Sequence, residues 1–330
     1  MNITAFYQHC RLCPRSCGVD RQAGSCGFCG ETAELRIAFA GIHCGEEPPI
    51  SGQGGSGTIF ISGCNLGCVF CQNRQISQGA ADGADSGTNG VLGRVVTSGE
   101  FAEICMKLQT RGAGNINIVT GSHAVPAIVQ GINAARAAGL HIPVLWNSSA
   151  YESQAALDLL KDNVTMYLPD LKTLDSEIAE NFFRAPDYPQ VAAAAILKMM
   201  EMGSVIIRHL ILPGCLDSTR SVLRWFAENA KGRALLSLMT QYTPMKGSGG
   251  KQTANGEKRG EVPARFLNKR EYETVLGWLE EFGIEDGFCQ ELISSSRSRD
   301  SSDWLPDFNR GNPFSSELSA PVWHWRQISD

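Results

Sequence analysis

From residue 57 onward, short apolar runs alternate with longer stretches in which apolar residues recur every three to four positions. The first pattern fits strands buried on both faces, the second amphipathic helices. The runs predict strands over Gly57–Ser62, Asn115–Val119, Ile142–Trp146, Val164–Leu168, Val205–Leu212 and Leu235–Met239. The helical spacing between them predicts helices over Glu100–Thr110, Val125–Ala138, Ser153–Lys161, Gln190–Met202 and Ser218–Ala230. Alternating strand and helix units build a parallel sheet, because parallel neighbours need a long crossover. Six such units predict an α/β fold, a partial (β/α)6 TIM-like barrel rather than the full eight.

Outside that core the pattern changes. Residues 1–31 form a small Cys-rich head with few apolar positions, too short to bury a core without a metal. Residues 32–56 read as a connector that includes Glu46-Glu47-Pro48-Pro49, and residues 57–245 as the core. Residues 246–330 read as a C-terminal extension: a polar, glycine-rich linker over 246–265, a last amphipathic helix over Asn268–Phe282, and a tail. In the tail, Ser294–Ser302 is low-complexity, while Trp304, Trp323 and Trp325 need something to pack against. Residues 78–98 are a Gly/Ala/Asp-rich loop, and no internal repeat is present.

Composition narrows the class. Over 330 residues, 43% are hydrophobic and 19% charged, which is ordinary for a globular protein. A net charge of −5 without a basic block gives no reason to expect nucleic acid as a partner. The first residues lack the basic start and apolar run of a signal peptide, and no apolar stretch approaches the ~20 residues that span a bilayer. The expectation is a cytoplasmic protein with no membrane partner. Eight of the twelve cysteines fall in two clusters, five within residues 10–29 and three at 64–71, unlike a dispersed disulfide framework. Cys44, Cys105, Cys215 and Cys289 read as ordinary buried residues.

In parallel α/β sheets the reactive site lies at the carboxyl ends of the strands. Here polar residues follow the apolar runs: the Cys64 loop, Thr120-Gly-Ser-His123, Asn147-Ser-Ser149, Asp170-Leu-Lys172 and Thr240-Gln-Tyr242, while the fifth run carries Arg208-His209 before Pro213-Gly214. Singly, each has a plain explanation. Hydroxyl and amide residues favour caps and turns, Asp170 and Lys172 can form a simple ion pair, and His209 can be a satisfied core histidine. Together they converge on one mouth.

The most specific signal is Cys64-x3-Cys68-x2-Cys71, within Ser62-Gly-Cys-Asn-Leu-Gly-Cys-Val-Phe-Cys-Gln-Asn73. An iron–sulfur cube takes four thiolates, one per iron. A tight loop offering three leaves one iron open to a ligand. A zinc knuckle is the alternative, but zinc sites usually pair two C-x2-C units, and this loop is built otherwise. The spacing, with Phe70 before the last cysteine, resembles the radical S-adenosylmethionine (SAM) superfamily.

Longer segments resemble its pyruvate formate-lyase activating enzyme-like subgroup, the activases of glycyl radical enzymes. They include Cys10-Arg-Leu-Cys-Pro-Arg-Ser-Cys17, Glu46-Glu-Pro-Pro-Ile-Ser-Gly52, Tyr167-Leu-Pro-Asp-Leu-Lys172 and Arg208-His-Leu210, within a match over roughly residues 7–245. The resemblance implies a radical SAM core with a [4Fe–4S] cluster on Cys64, Cys68 and Cys71. It implies SAM, held with the help of Thr120, Asn147, Ser148, Asp170, Lys172 and Arg208. Asp170 and Lys172 match the activases' Asp-x-Lys and would touch SAM or a bound monovalent cation; Arg208 would contact SAM or the partner's backbone, and either Lys172 or Arg208 can answer the SAM carboxylate. The activity implied is reductive cleavage of SAM to a 5′-deoxyadenosyl radical that takes hydrogen from a substrate, including the glycine of a glycyl radical enzyme partner. A flavodoxin or ferredoxin would supply the electron. Alternative targets are another peptide, a cofactor precursor or a nucleoside; a non-catalytic iron–sulfur electron carrier is the rival of a different class. Two departures stand out. Thr120-Gly-Ser-His123 replaces the Gly-Gly-Glu of many relatives, and no histidine follows the sixth strand, where Thr240-Gln-Tyr242 stands.

The head offers five thiols where a metal site needs four. Cys10-x2-Cys13 with Cys26-x2-Cys29 reads as a zinc ribbon. The resemblance instead favours Cys10, Cys13, Cys17 and Cys29 for a second iron–sulfur cluster or a zinc ion.

Overall fold

A computed structural model describes residues 5–77, 91–244, 264–292, 305–315 and 317–326. The predicted alternation forms an open α/β barrel. Ten strands lie in one sheet among the described residues. They are β1 (Leu35–His43), β2 (Ser56–Ile61), β3 (Arg94–Val96), β4 (Ile116–Val119), β5 (Val144–Ser148), β6 (Met166–Pro169), β7 (Ser204–Leu210), β8 (Leu235–Met239), β9 (Gly287–Cys289) and β10 (Ser319–His324). The order is β10-β1-β2-β4-β5-β6-β7-β8-β9, with β3 also on β1. From β2 through β9 every pairing is parallel, whereas β10, β2 and β3 all pair antiparallel to β1. The sheet is open rather than closed: the six predicted strands form a partial barrel, and further strands extend both edges.

The helices begin where the chain provides caps. Thr97 and Glu100 form a reciprocal capping box at Ser98–Thr110, and Asn268 and Glu271 form another at Lys269–Glu281. Ser153 accepts the Ala156 amide at the start of Gln154–Leu160, and Asp175 accepts two amides at the start of Ser176–Phe183. The helices at Val125–Ala137, Tyr188–Met202 and Leu216–Asn229 complete the outer layer.

Alternation along the strands separates two cores. Ile118, Trp146, Tyr167 and Ile207 face outward into the main core beneath the helices. Leu145, Leu168 and Ile206 face inward, where Ile50 packs on them. Side chains two residues further along a strand share its face. Asn147, Asp170 and Arg208 therefore project inward as well, one pleat nearer the carboxyl ends. This step from apolar floor to polar rim is what positions the site.

The segment read as a connector over 32–56 is structural. Its first half is β1, and Pro48–Ser51 is a helical turn whose Ile50 fills the barrel floor. Arg-Ile-Ala-Phe-Ala-Gly-Ile is an apolar run, but β1 is antiparallel and lies outside the βα alternation, so that pattern did not reveal it. Nor is the C-terminal extension apart from the core: β9 pairs with β8 and β10 pairs with β1. Pro321 sits in β10 where the register slips between Ala40 and Gly41, an edge-strand bulge that tolerates proline. Trp323 lies 5.3 Å from the Arg94 guanidinium, and the Trp325 indole donates to the Phe308 carbonyl at 2.8 Å. Of the loop predicted over 78–98, residues 78–90 lie outside the described residues, and Arg94–Val96 is β3. The linker at 246–263, Ser294–Ser302 and Trp304 also lie outside them.

Candidate active site

The cysteine loop leaves β2 through a backbone turn that requires glycine. Gly63 has φ +82, and a Cβ there would stand 2.5 Å from Glu31 Cγ and 3.0 Å from the Cys29 carbonyl. Main-chain bonds then fix the loop: the Gly63 amide donates to Ile76, Gly67 to Phe183 and Val69 to Phe182. The buried Asn65 amide donates to the Tyr151 carbonyl at 2.6 Å, and the Arg15 guanidinium donates to the Asn65 carbonyl at 2.8 Å. Phe70, between Cys68 and Cys71 in the loop, meets Phe182, Phe183 and Tyr242 edge-on.

Cys64, Cys68 and Cys71 open onto one cavity of about 420 Å³. Thr120, Asn147, Ser148, Asp170, Lys172 and Arg208 line the same cavity, so the structure gathers all nine predicted positions on one wall system. A volume in this range encloses one drug-sized ligand. Burial pushes all three thiols up, Cys68 to about 12 even with the Lys172 ammonium pulling it down. Iron binds thiolate, so loading such a trio expels protons into solvent. Among the described residues on this wall there is no fourth cysteine. The trio thus fits a cluster held at three corners.

The charged groups are already partnered. Lys172 Nζ lies 2.5 Å from Asp170 Oδ2. Burial opposes the ammonium, yet Asp170 and Cys68 together hold it above the ordinary lysine range. Tyr188 locks this pair by donating to the Asp170 carbonyl at 2.7 Å and accepting from the Lys172 amide at 3.0 Å. Arg208 is held by two carboxylates: its Nε donates to Glu47 at 2.9 Å, and its terminal nitrogen reaches both Glu46 and Glu47. Burial pushes the Glu47 carboxyl up and the Arg208 guanidinium pulls it down; the guanidinium prevails. Asn117 also donates to Glu46 at 3.3 Å. Arg208 thus reaches the cavity already paired with the connector's two carboxylates, as Lys172 is with Asp170.

Several second-strand and third-strand features differ from their sequence reading. Thr120 lines the cavity with φ +64, a left-handed conformation unusual for threonine. His123 turns away from the cavity toward the head, and burial beside Arg21 pushes it down to about 3. Behind Ser148 lies the buried Glu152, which accepts from Ser122 at 2.6 Å and Trp146 at 3.3 Å and whose carboxyl burial pushes up. His209 is the satisfied core histidine: Nδ1 is 2.7 Å from the Leu171 carbonyl and Nε2 is 3.0 Å from the Thr219 hydroxyl. Cys105 is buried as expected, but Cys44 and Cys289 are exposed.

Sequence reasoning missed the opposite wall, which includes His43, Glu46, Phe60, Phe314 and Leu318. His43 stacks on Phe314 with centroids 5.1 Å apart, joining β1 to the tail. The doubled glutamate before two prolines was the available signal, since paired carboxylates next to a rigid turn demand a buried cation. In the head, Cys10, Cys13, Cys17 and Cys29 line one small gap, whereas Cys26 is exposed and outside it.

No helix among the described residues is long and apolar enough to cross a membrane. Among solved structures, SuiB of Streptococcus suis bound to S-adenosylmethionine is similar at 13% identity and TM-score 0.49, covering 69% of this chain and 48% of that one. A domain of pyruvate-formate lyase-activating enzyme from Bacteroides vulgatus is similar at 12% identity and TM-score 0.37, covering 50% and 89%. QueE of Escherichia coli is similar at 12% identity and TM-score 0.44, covering 80% and 96%. The chain spans about half the length of SuiB, and at these scores the likenesses carry no weight for function. The uncharacterized protein MJ0674 of Methanocaldococcus jannaschii is 31% identical over 239 residues, 72% of this chain and 67% of its own length. The family model of the Radical SAM superfamily matches residues 58–226, from β2 through the helix after β7, so the chain belongs to the radical SAM superfamily.

Proposed function

We propose that the chain is a radical SAM enzyme that abstracts hydrogen from the backbone of a partner protein, as the activases of glycyl radical enzymes do. The observation that carries the enzymatic reading is the meeting of three thiols and six polar residues from four strand ends on one cavity of about 420 Å³. When bound, a [4Fe–4S] cluster and SAM supply an electron and a 5′-deoxyadenosyl radical. The chain's own residues bind and orient. Cys64, Cys68 and Cys71 would hold the cluster; Lys172, kept cationic by Asp170, would answer the SAM carboxylate; Asn147 and Ser148 would offer amide and hydroxyl groups to its methionyl part. The apolar wall of Phe60, Phe70 and Phe314 keeps water from the reacting carbon.

A cavity that encloses one ligand of this size is filled by SAM. The substrate then reaches the radical from the mouth, which suits a loop of a second protein better than a small molecule that must be swallowed whole. The long segments shared with the activases support the same choice, and a flavodoxin or ferredoxin is the matching reductant. An electron carrier would have no use for a cavity beside its open corner.

Anaerobic protein with reconstituted iron and sulfide, dithionite and SAM is expected to release 5′-deoxyadenosine. Addition of a candidate glycyl radical enzyme is expected to give the doublet of a glycyl radical by electron paramagnetic resonance. No 5′-deoxyadenosine from an intact cluster overturns the enzymatic reading. 5′-Deoxyadenosine formed with a small molecule or free peptide, but never a glycyl radical, overturns the partner-protein reading alone.

A further inference from the structure

Glu152 is a buried carboxylate to which the radical chemistry has so far given no role. It is 2% exposed and follows β5, whose last residue, Ser148, lines the cavity. Between them the buried Ala150 takes φ +57, a left-handed conformation unfavourable for any residue with a side chain. That turn brings the carboxyl back behind Ser148. The Asn65 side-chain amide of the cysteine loop holds the turn by donating to the Tyr151 carbonyl at 2.6 Å.

One oxygen of Glu152 has a structural use. Oε1 accepts from the Ser122 hydroxyl at 2.6 Å and the Trp146 indole at 3.3 Å, joining β5 to the turn after β4. The other is surplus to that bracket: Oε2 is buried and has no hydrogen-bond partner. The Ser148 hydroxyl is close enough to draw the same carboxyl down, and its oxygen accepts the Ala150 amide at 3.2 Å. Turning the Ser148 proton onto Oε2 satisfies that atom and leaves a Ser148 lone pair for the cavity. Among the described residues Glu152 makes no ion pair, and burial favours its neutral form. A cation arriving on the cavity side of Ser148 reverses that preference, because a buried carboxylate is stable only with an opposite charge near it. The neighbouring cations do not provide one: Lys172 is paired with Asp170, and Arg208 with Glu46 and Glu47.

We propose that Glu152 is a positioning residue for SAM: its carboxylate holds the Ser148 proton, so that the Ser148 oxygen faces the cavity as an acceptor, and it supplies the counter-charge for the α-ammonium group of SAM. The assignment rests on SAM binding at this cavity, as proposed above. Asn147 beside it is neutral and Asp170 already answers Lys172, so the negative charge at this corner falls to Glu152. The same corner suits the SAM carboxylate poorly, which leaves that group to Lys172.

The test measures dissociation constants by calorimetry on the anaerobic, cluster-reconstituted full chain, for SAM and for a desamino analogue in which hydrogen replaces the α-amino group. Glu152→Gln keeps the shape and an acceptor for Ser122 and Trp146. It is expected to raise the constant for SAM roughly tenfold and that for the analogue by less than about twofold. Ser148→Ala, which leaves Glu152 in place, is expected to show the same contrast, and adding Glu152→Gln to it is expected to weaken SAM little further. Should Glu152→Gln fail to fold, Ser148→Ala alone decides by that contrast. Equal weakening of SAM and analogue, unchanged affinity for SAM in Glu152→Gln, or full additivity of the two substitutions reduces Glu152 to a bracket between strand ends and overturns this inference alone. Wild-type protein with an intact cluster that binds no SAM overturns the function proposed above together with it.

Discussion

Replacing Arg208 by Met isolates the contribution of the acidic pair that enters the barrel from the connector. In the wild type the side chains of Arg208, Glu46 and Glu47 are 9%, 12% and 8% exposed, so solvent screens them little. Removing the cation leaves two buried carboxylates facing each other, and breaking a buried pair from one side costs about 3–5 kcal/mol. Unfolding entropy of about 2.1 cal/mol/K per residue, taken over 330 residues, turns that cost into a fall in Tm of about 4–7 °C. The compensated variant Arg208→Met/Glu46→Gln/Glu47→Gln has no charge to desolvate and is expected to recover more than half of the loss.

The pH dependence carries a sign that separates this cause from simple loss of packing. In the wild type Arg208 holds Glu47 below its ordinary value of 4.5. As pH falls through 4.5 the unfolded chain takes up the proton first, so the wild type loses this stabilisation in acid. In Arg208→Met the same carboxyl is buried without a partner and binds its proton more tightly than the unfolded chain does. The variant is therefore penalised above 4.5 and relieved below it. The gap in Tm is expected to be widest near neutrality and to narrow as the medium is acidified toward pH 4, read by scanning calorimetry on anaerobic protein. A fall in Tm under about 1 °C, a gap that does not change with pH, or a triple variant no more stable than the single one would refute the reasoning.

Three further outcomes follow from the site. Cys68→Ala is expected to lose both the cubane absorption and 5′-deoxyadenosine production while keeping its far-ultraviolet dichroism; production at the wild-type rate would show that Cys68 holds no iron. Gly63→Ala places a side chain at φ +82 and 2.5 Å from Glu31 Cγ. The backbone conformation alone costs roughly 1–2 kcal/mol, so both Tm and iron content should fall, and an unchanged Tm would mean that the turn relaxes. Lys172→Met removes a charged hydrogen-bond donor of about 1.5–3 kcal/mol, and the dissociation constant for SAM, measured by calorimetry, is expected to rise roughly tenfold or more. An unchanged constant would take Lys172 out of SAM binding.

The parallel core was legible because its signal is local. Strands buried on both faces read as apolar runs, and helices between them read by their spacing, so Leu235–Met239 and Val125–Ala137 fall where the pattern put them. The antiparallel strands were not, since β1 and β10 pair across nearly the whole chain and β10 contains Pro321, which usually argues against a strand. The same distance hid half the site. Thr120, Asn147 and Asp170 could be found because each directly follows an apolar run, and Arg208 because it is a charge inside one. His43, Glu46 and Phe314 reach the cavity from segments with no such marker.

That hidden half alters the electrostatics of the visible half. Taken from the strand ends alone, the mouth holds two cations, Lys172 and Arg208, against one carboxylate, Asp170, and would attract an anionic substrate. With Glu46 and Glu47 in place the same groups sum to a single net negative charge. On the proposed function, that balance suits the sulfonium of SAM and leaves its carboxylate dependent on Lys172 for a counter-charge. Arg208 then serves to hold the connector against the barrel floor, where Ile50 packs on Leu145, Leu168 and Ile206. The connector thus does two things at once: it closes the open barrel from below and sets the charge of the chamber above. A substrate bearing its own carboxylate near the reacting carbon would face that charge unscreened, whereas a peptide backbone is neutral. For the function proposed above, this charge adds to cavity size as a reason to test a peptide backbone before an acidic small molecule.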